Sequence, residues 1–278
     1  MLAQYALHKG NKIECRLCPH RCNLSRGEMG KCRVRRYDYE GLVSLNYGKI
    51  SVIQIDPIEK KPLNKFMSGT NTLSIGSYGC NLSCAFCQNH GIAFGFPRTY
   101  SMSSEEIVDQ AIRSGMPSIS YTYNEPIVSY EFVLDTAQMA RRKGLINIMV
   151  TNGYIEREPF LQLAPFIDAM NIDLKAFSDQ SYRKICGGNL APVLKTIELA
   201  YQFCHIEITT LLVTNMHTRE ELMKMIDWIT DLSPEIPLHL SRYFPKYFYT
   251  QTNTPLEWID EIYNMAANKL TNVYKGNC

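Results

Sequence analysis

Three cysteines lie close together in the segment GCNLSCAFCQN, at Cys80, Cys84 and Cys87. Thiolates are soft ligands that favour zinc, copper(I) and iron–sulfur clusters. A tetrahedral zinc site and a plant-type ferredoxin cluster each take four ligands, and no fourth cysteine follows nearby. Three thiolates on a [4Fe–4S] cluster would leave one iron free to bind a small molecule. The alternatives are a zinc knuckle or three unconnected buried thiols.

Four more cysteines fall within an 18-residue stretch near the N-terminus: Cys15, Cys18, Cys22 and Cys32. Their number satisfies either a structural zinc ion or a second iron–sulfur cluster, and their spacing does not choose between the two. Four reduced, unconnected thiols are the alternative. The remaining cysteines are scattered along the chain, and we expect Cys186 and Cys204 to be buried apolar thiols.

The composition limits the class of protein. The 278 residues carry a net charge of +2, with 45% hydrophobic and 20% charged residues. This balance gives no indication of a nucleic-acid partner, and the chain contains neither a signal peptide nor an apolar run long enough for a membrane span. We therefore expect a cytoplasmic protein, in which ten cysteines favour metal binding over disulfides.

The chain divides into two parts by its patterning. Residues 1–70 form a Cys-rich N-terminal segment with strand candidates at 41–46 and 49–55, and residues 71–278 form the core. Short buried strands are predicted in the core at 72–77, 118–123, 146–150, 169–173, 206–213 and 237–240. Strands that alternate with helical patterns predict right-handed βαβ units and a parallel sheet, either partly closed as a barrel or open and doubly wound.

Three of the intervening helices begin with a sequence typical of a capping box. These are Ser103 with Glu106, Thr218 with Glu221, and Thr254 with Glu257, where Pro255 would take the first helical position.

Polar residues follow the predicted core strands at the ends where chemistry is expected in a parallel sheet. The three cysteines follow the first strand. The later strands end in or carry these candidates: Asn124, Glu125, Thr151, Asn152, Asp173, Lys175, Thr209, His239 and Arg242. Each also has an ordinary alternative, such as a loop carboxylate for Glu125, a surface ion pair for Asp173 with Lys175, and a core hydrogen bond for His239.

These motifs together resemble those of the radical S-adenosylmethionine (SAM) superfamily. C-x3-C-x2-C with Phe86 before the last cysteine resembles its signature, and YTYNEP resembles its Gly-Gly-Glu segment with Tyr123 and Asn124 in place of the glycines. DLK at 173–175 resembles the branch of the pyruvate formate-lyase activating enzymes. With CRLCPHRCNL and HLSRYFP added, nearly the whole chain resembles the radical SAM member of the AmmeMemoRadiSam group.

The resemblance implies an α/β fold, a partial (βα)6 TIM-like barrel of the radical SAM type with a small Cys-containing N-terminal segment. It implies a [4Fe–4S] cluster on the three cysteines and reductive cleavage of SAM to methionine and a 5′-deoxyadenosyl radical. The implied SAM-binding residues are Phe86, Asn124, Glu125, Thr151, Asn152, Asp173, Lys175, Thr209 and His239.

The resemblance also implies a flavodoxin or ferredoxin as electron donor and, for this group, Memo-like and AMMECR-like partner proteins. Two other functions remain open. One is activation of a glycyl-radical enzyme, which the DLK motif favours. The other is a non-catalytic iron–sulfur or zinc protein, which would have no use for Glu125 or Asp173.

Overall fold

The computed structural model describes residues 1–278. The N-terminal segment consists of short strands joined by loops: β1 (Ala6–Lys9), β2 (Lys12–Cys15), β3 (Asn23–Leu24), β4 (Arg35–Tyr37), β5 (Leu42–Ser44) and β6 (Lys49–Ile50). The first three strands form one antiparallel sheet, and β4 pairs with β5. The strand predicted at 41–46 is therefore present in a shorter form.

One sheet of eight strands forms the core of the molecule. Its members are β7 (Val52–Pro57), β8 (Asn71–Gly76), β10 (Ser118–Tyr121), β11 (Ile146–Thr151), β12 (Ala169–Asp173), β13 (His205–Leu212), β14 (Leu238–Arg242) and β15 (Val273–Gly276). The strand order is β15-β14-β13-β12-β11-β10-β8-β7, and all pairs are parallel except β7 with β8. The remaining strand, β9 (Tyr100–Ser101), pairs with β6.

The predicted α/β fold with a partial barrel of parallel strands is confirmed, and the six predicted core strands correspond to β8 and β10–β14. The predicted strand at 49–55 is split into β6 and β7, and β7 joins the large sheet. The seventh parallel strand, β15, was not predicted. It lies at the edge of the sheet and is only half-buried, so it lacks the apolar run by which a central strand is found.

Helices connect successive strands of the sheet: α1 (His90–Ala93), α2 (Ser104–Arg113), α3 (Tyr130–Arg142), α4 (Arg157–Leu163), α5 (Asp179–Ser181), α6 (Leu190–Phe203), α7 (Arg219–Leu232) and α8 (Leu256–Ala267). Their apolar faces pack on the sheet in one large core that also includes residues of the N-terminal segment. No helix of the chain is both long and apolar enough to cross a membrane.

The three predicted capping boxes have different outcomes. The box of Ser103 and Glu106 is complete, with both reciprocal hydrogen bonds present. Thr218 caps α7 by accepting from the Glu221 N–H at 3.1 Å, but the Glu221 carboxylate accepts from the Phe177 N–H instead of closing the box.

The prediction of a capping box at Thr254 is wrong. Pro255 is the N-cap residue of α8, and no side chain caps this helix. The buried hydroxyl of Thr254 donates to the Leu212 carbonyl and accepts from the Tyr243 N–H, so a tertiary contact has replaced the local one.

A short segment after β7 packs against the starting ends of the central strands. Ile58 and Leu63 are fully buried there against Ile148 of β11 and Ala169 of β12. The carbonyl of Pro62 accepts from the Asn171 side chain at 2.8 Å. The opposite end of the barrel, where the parallel strands finish, is left open.

Candidate active site

A cavity of about 350 Å³ opens at the carboxyl ends of the parallel strands. All three cysteines of the C-x3-C-x2-C segment line it. Eight of the nine predicted SAM-binding residues line it as well: Phe86, Asn124, Glu125, Thr151, Asn152, Asp173, Lys175 and Thr209. The structure thus brings together side chains from five consecutive strand ends, as expected for a parallel sheet.

The loop that carries the cysteines is held from two sides. Gly79 has a φ of +90°, and a Cβ there would stand 2.7 Å from the Val34 side chain, so the N-terminal segment packs directly on the loop. On the other side, the Ser83 N–H donates to the Cys186 carbonyl at 2.8 Å and the Ala85 N–H donates to the Ile185 carbonyl at 3.0 Å. The loop therefore presents its thiols from a fixed backbone.

The three thiols differ in their electrostatic surroundings. Burial raises the pKa of Cys80 well above its ordinary value and raises the pKa of Cys87 to about 11. A hydrogen bond with the neighbouring Cys186 thiol lowers the pKa of Cys84, and the Lys175 ammonium acts in the same direction. A thiol must lose its proton before its sulfur can bind a metal, so metal binding at this site is coupled to proton release.

The donor set fits an iron–sulfur cluster. It consists of sulfur alone, which iron–sulfur clusters accept. No three Cys, His, Asp or Glu side chains of the chain are close enough to hold a single metal ion. On a cluster each thiolate binds a different iron, so the thiols stand further apart than around one ion. Three such thiols face one cavity here, which is the arrangement that a [4Fe–4S] cluster with one open iron requires.

Glu125 follows β10 and is buried in the wall of the cavity. Its carboxylate accepts from the Thr151 hydroxyl at 2.7 Å, from the Asn152 N–H at 2.8 Å and from the Ile127 N–H at 3.1 Å. Burial nevertheless raises the pKa of Glu125 to about 7, because it outweighs these hydrogen bonds and the charge of Lys175, with which Glu125 forms no ion pair. A carboxylate has about four acceptor positions, so one remains for a ligand, and a cationic ligand would compensate the burial.

Asp173 and Lys175 form an ion pair of 2.8 Å on the side of the cavity formed by the end of β12. Burial opposes the charge of Lys175, but Asp173 and the Cys84 thiol outweigh it and raise the pKa of Lys175 well above its ordinary value. The alternative of a surface ion pair does not hold, since the Lys175 side chain is only 16% exposed. A fixed cation thus stands beside the cysteines.

Two asparagines connect the cysteine loop to the neighbouring strand ends. Asn124 accepts from the Ser77 N–H at 2.8 Å and donates to the Gly79 carbonyl at 3.0 Å, so its amide is engaged within the protein. Asn152 donates to Cys80 Sγ at 3.7 Å and to the Asn81 side chain at 2.9 Å. Both line the cavity, but these bonds give them a positioning role for the loop.

His239 lies outside the cavity, in contrast to its predicted role as a SAM-binding residue. Its Nε2 meets the Glu207 carboxylate at 2.6 Å, deeper in the barrel. Glu207 is fully buried and also accepts from the backbone N–H groups of Asn64 and Lys65 at 3.0 and 2.8 Å. His239 therefore satisfies a core hydrogen bond. The Arg242 Nε donates to the Thr254 carbonyl at 2.8 Å, so this side chain likewise has a structural role.

Two lysines of the cavity were not predicted from the sequence. Lys60 and Lys61 lie between β7 and β8, and both line the cavity. Lys61 is buried and pairs with Asp56 at 2.8 Å, and the Tyr123 hydroxyl donates to the same carboxylate. The sequence EKKP is typical of an exposed charged turn, so no local signal could have identified these residues.

The four N-terminal cysteines also come together. Cys15, Cys18, Cys22 and Cys32 surround a second, small cavity that includes Asn81 of the cysteine loop. Cys186 is buried as predicted but lies beside Cys84, whereas Cys204 is only half-buried.

Comparisons with known proteins identify the family. Residues 74–229 match the radical SAM superfamily. An uncharacterized protein of Methanocaldococcus jannaschii is 43% identical over 275 residues, which cover 96% of this chain and 82% of the relative. The chain therefore belongs to the radical SAM superfamily. Its members hold a [4Fe–4S] cluster and SAM, and the thiols, the buried carboxylate and the fixed cation described above fit both.

Two solved structures share the fold at low sequence identity. The crystal structure of Streptococcus suis SuiB bound to S-adenosylmethionine aligns with a TM-score of 0.59 at 16% identity, covering 72% of this chain and 48% of SuiB. A domain of a pyruvate-formate lyase-activating enzyme from Bacteroides vulgatus aligns with a TM-score of 0.50 at 18% identity, covering 58% of this chain and 99% of that domain. At these identities the likeness concerns the fold alone.

Proposed function

We propose that this radical SAM enzyme cleaves SAM reductively and takes a hydrogen atom from a substrate bound in the mouth of the barrel, as part of an AmmeMemoRadiSam system. One observation carries the proposal most directly. The three thiols of the C-x3-C-x2-C loop share one cavity with the buried Glu125 carboxylate and the Asp173–Lys175 ion pair. A protein that only stores electrons has no use for this combination.

Each group of the cavity has a role toward the cofactors. Cys80, Cys84 and Cys87 would hold three irons, and Glu125 would accept from the amino group of SAM at its remaining acceptor position. Thr151, Asp173 and Lys175 would surround the carboxylate and ribose of SAM, with Phe86 and the Gln88–Asn89 backbone against the adenine.

When bound, the cluster supplies one electron to the sulfonium of SAM, which yields methionine and the 5′-deoxyadenosyl radical. The chain contributes orientation and the exclusion of water. Phe86 and Cys84 are buried, and the Asn152 amide donates to Cys80 Sγ, so these groups are fixed before any ligand arrives.

The proposed partners follow from the resemblance of the motifs. A reduced flavodoxin or ferredoxin would deliver the electron, and Memo-like and AMMECR-like proteins would act in the same system. The N-terminal motif CRLCPHRCNL and the segment HLSRYFP support this placement. Activation of a glycyl-radical enzyme is the second candidate, which the resemblance of the DLK motif to that of the pyruvate formate-lyase activating enzymes supports.

One experiment separates the candidates. The protein is reconstituted anaerobically with iron and sulfide, mixed with SAM and dithionite, and assayed for 5′-deoxyadenosine and methionine. A radical SAM enzyme forms both in equal amounts, while a non-catalytic iron–sulfur or zinc protein forms neither. Deuterium transfer from labelled candidate substrates into 5′-deoxyadenosine then identifies the hydrogen donor. Transfer from a glycine of a partner enzyme would support the activase candidate.

A further inference from the structure

Two neighbouring lysines in the wall of the active-site cavity share a single carboxylate. The Lys61 side chain is 3% exposed, and its Nζ donates to Asp56 Oδ2 at 2.8 Å. Lys60 also lines the cavity, and its Nζ lies 3.4 Å from Asp56 Oδ1. Two ammonium groups thus face one carboxylate, so this group of three residues, the lysine cluster, carries an unbalanced positive charge.

The acidic residues near the lysine cluster are engaged elsewhere. Asp173 and Glu125 are the acidic residues that line the cavity. Asp173 pairs with Lys175 at 2.8 Å, and Glu125 forms no ion pair with either lysine of the cluster. Glu59, which precedes the two lysines in the chain, accepts from the Gly69 N–H at 2.7 Å. The protein therefore leaves the positive charge of the lysine cluster uncompensated.

The lysines also have hydrogen-bonding capacity that the protein does not use. An ammonium group has three protons to donate, and Lys60 and Lys61 each make one hydrogen bond. Lys61 Nζ lies 4.8 Å from the centre of the Tyr123 ring. Burial lowers the pKa of Lys61, Asp56 opposes this effect, and the positive charge of Lys60 adds to the lowering. An anionic acceptor would compensate the burial of this charge.

Tyr123 holds the lysine cluster beside the residues proposed to bind SAM. Its φ of +71° is rare for a bulky side chain. Its hydroxyl donates to Asp56, and its carbonyl accepts from the Asn89 side chain at 2.7 Å. A Cβ at Gly76 would stand 3.0 Å from the Tyr123 ring, so the glycine leaves room for it. Such unusual backbone conformations concentrate at functional sites. The cluster is therefore fixed next to the segment that carries Glu125.

We propose that Lys60 and Lys61 bind an anionic group of the substrate, a carboxylate or a phosphate, in the cavity in which SAM is cleaved. An ammonium group acts as a point charge with several donors and suits either anion. The Lys60 side chain is 67% exposed and is thus accessible to an incoming anion. The role toward a substrate rests on the proposed function, whereas the binding of an anion does not.

The first test measures anion binding directly. Inorganic phosphate and acetate are titrated calorimetrically into the reconstituted protein saturated with SAM. The wild type should bind at least one of them, and the stronger one identifies the anionic group. Lys60→Gln, which leaves the Lys61–Asp56 pair intact, should weaken binding roughly threefold. Asp56→Asn/Lys61→Met, which removes the buried pair without leaving a single charge, should weaken it about tenfold.

The matched control is Lys65→Gln, because Lys65 is an exposed lysine of the same segment that does not line the cavity. It should bind both anions as the wild type does. Wild-type protein that binds neither anion, or a loss in Lys65→Gln equal to that in Lys60→Gln, overturns the proposal.

A second measurement distinguishes a substrate site from a SAM site. Lys60→Gln should bind SAM with the affinity of the wild type and keep its iron content. A tenfold loss of SAM affinity in this variant would show that the lysines hold the carboxylate of SAM, and it would overturn the proposal. Wild-type protein that binds the anion but cleaves no SAM with dithionite would instead overturn the proposed function and leave the anion site standing.

Discussion

The Glu125 carboxylate and the Thr151 hydroxyl are joined by a hydrogen bond of 2.7 Å across the ends of β10 and β11. This bond, with the Asn152 N–H at 2.8 Å, fixes a buried carboxylate at the edge of the cysteine cavity. Because no cation is paired with it in the protein, Glu125 is prepared for a cationic group of a ligand. The first two predictions test this relationship.

Glu125→Gln should weaken SAM binding roughly 10- to 100-fold and leave the iron content unchanged. The amide keeps the volume and can still accept from Thr151, but it loses a charge-assisted contact of about 1.5–3 kcal/mol. Calorimetry on the reconstituted protein measures the affinity. Glu158→Gln, an exposed carboxylate, is the matched control and should bind SAM as the wild type does. Unchanged affinity in Glu125→Gln would return Glu125 to a structural role.

SAM affinity should fall as the pH decreases from 8 to 6. Burial raises the pKa of Glu125 to about 7, so the carboxylate takes up a proton in this range and loses its attraction for the amino group of SAM. The amino group of SAM also takes up a proton at lower pH, so the Glu125→Gln variant is needed to separate the titration of SAM from that of Glu125. The decrease is at most about tenfold per pH unit. The Glu125→Gln variant should show a smaller dependence on pH than the wild type, and identical profiles of the two proteins would contradict the assignment.

Cys84→Ala should abolish the formation of 5′-deoxyadenosine and remove about four irons from the reconstituted protein, because two thiolates do not hold the cluster. The neighbouring Cys186 thiol lies within reach of the Cys84 position and could substitute for it. Cys84→Ala/Cys186→Ala is therefore made in parallel, with Cys204→Ala as the control. Product formation by the double variant at the wild-type rate would disprove the ligand assignment.

Glu207→Gln should lower the free energy of unfolding by about 1–3 kcal/mol at pH 7, because the fully buried carboxylate accepts hydrogen bonds from His239 and from half-buried His205 that an amide replaces only in part. Burial opposes ionisation of Glu207, but hydrogen bonds from both histidines and from the Asn64 and Lys65 N–H groups lower its pKa to about 2. Urea denaturation of both proteins measures the difference, with Glu220→Gln, on an exposed helix face, as the control.

The pH dependence of this effect follows from the direction of the pKa change. A carboxyl group whose pKa is lower in the folded than in the unfolded state stabilises the protein above the unfolded value. The contribution of Glu207 should therefore be complete above pH 4.5 and decline as the pH falls toward 2. Wild type and Glu207→Gln should converge in stability over that range. A difference that stays constant would show that ionisation of Glu207 is not involved.

The local pattern of the sequence was sufficient for the barrel and for most of the active site. Strand and helix periods identify β8 and β10–β14, and parallel strands bring their carboxyl ends to one edge. Once the order of strands is known, Cys80, Glu125, Thr151 and Asp173 must meet there. The edge strand β15 was missed because an exposed edge does not need an apolar run.

The tertiary structure alone decided which polar groups serve the fold and which face the cavity. His239 was predicted as a site residue like Glu125, and Thr254 as a helix cap like Ser103. His239 instead binds Glu207, and the Thr254 hydroxyl donates to the Leu212 carbonyl. In the same way, a hydrogen bond between His20 and Asn81, which are 61 positions apart, connects the two groups of cysteines. The local sequence determines where the strands end and which potential ligands follow them. Long-range contacts depend instead on how distant segments pack, and no local pattern encodes that packing.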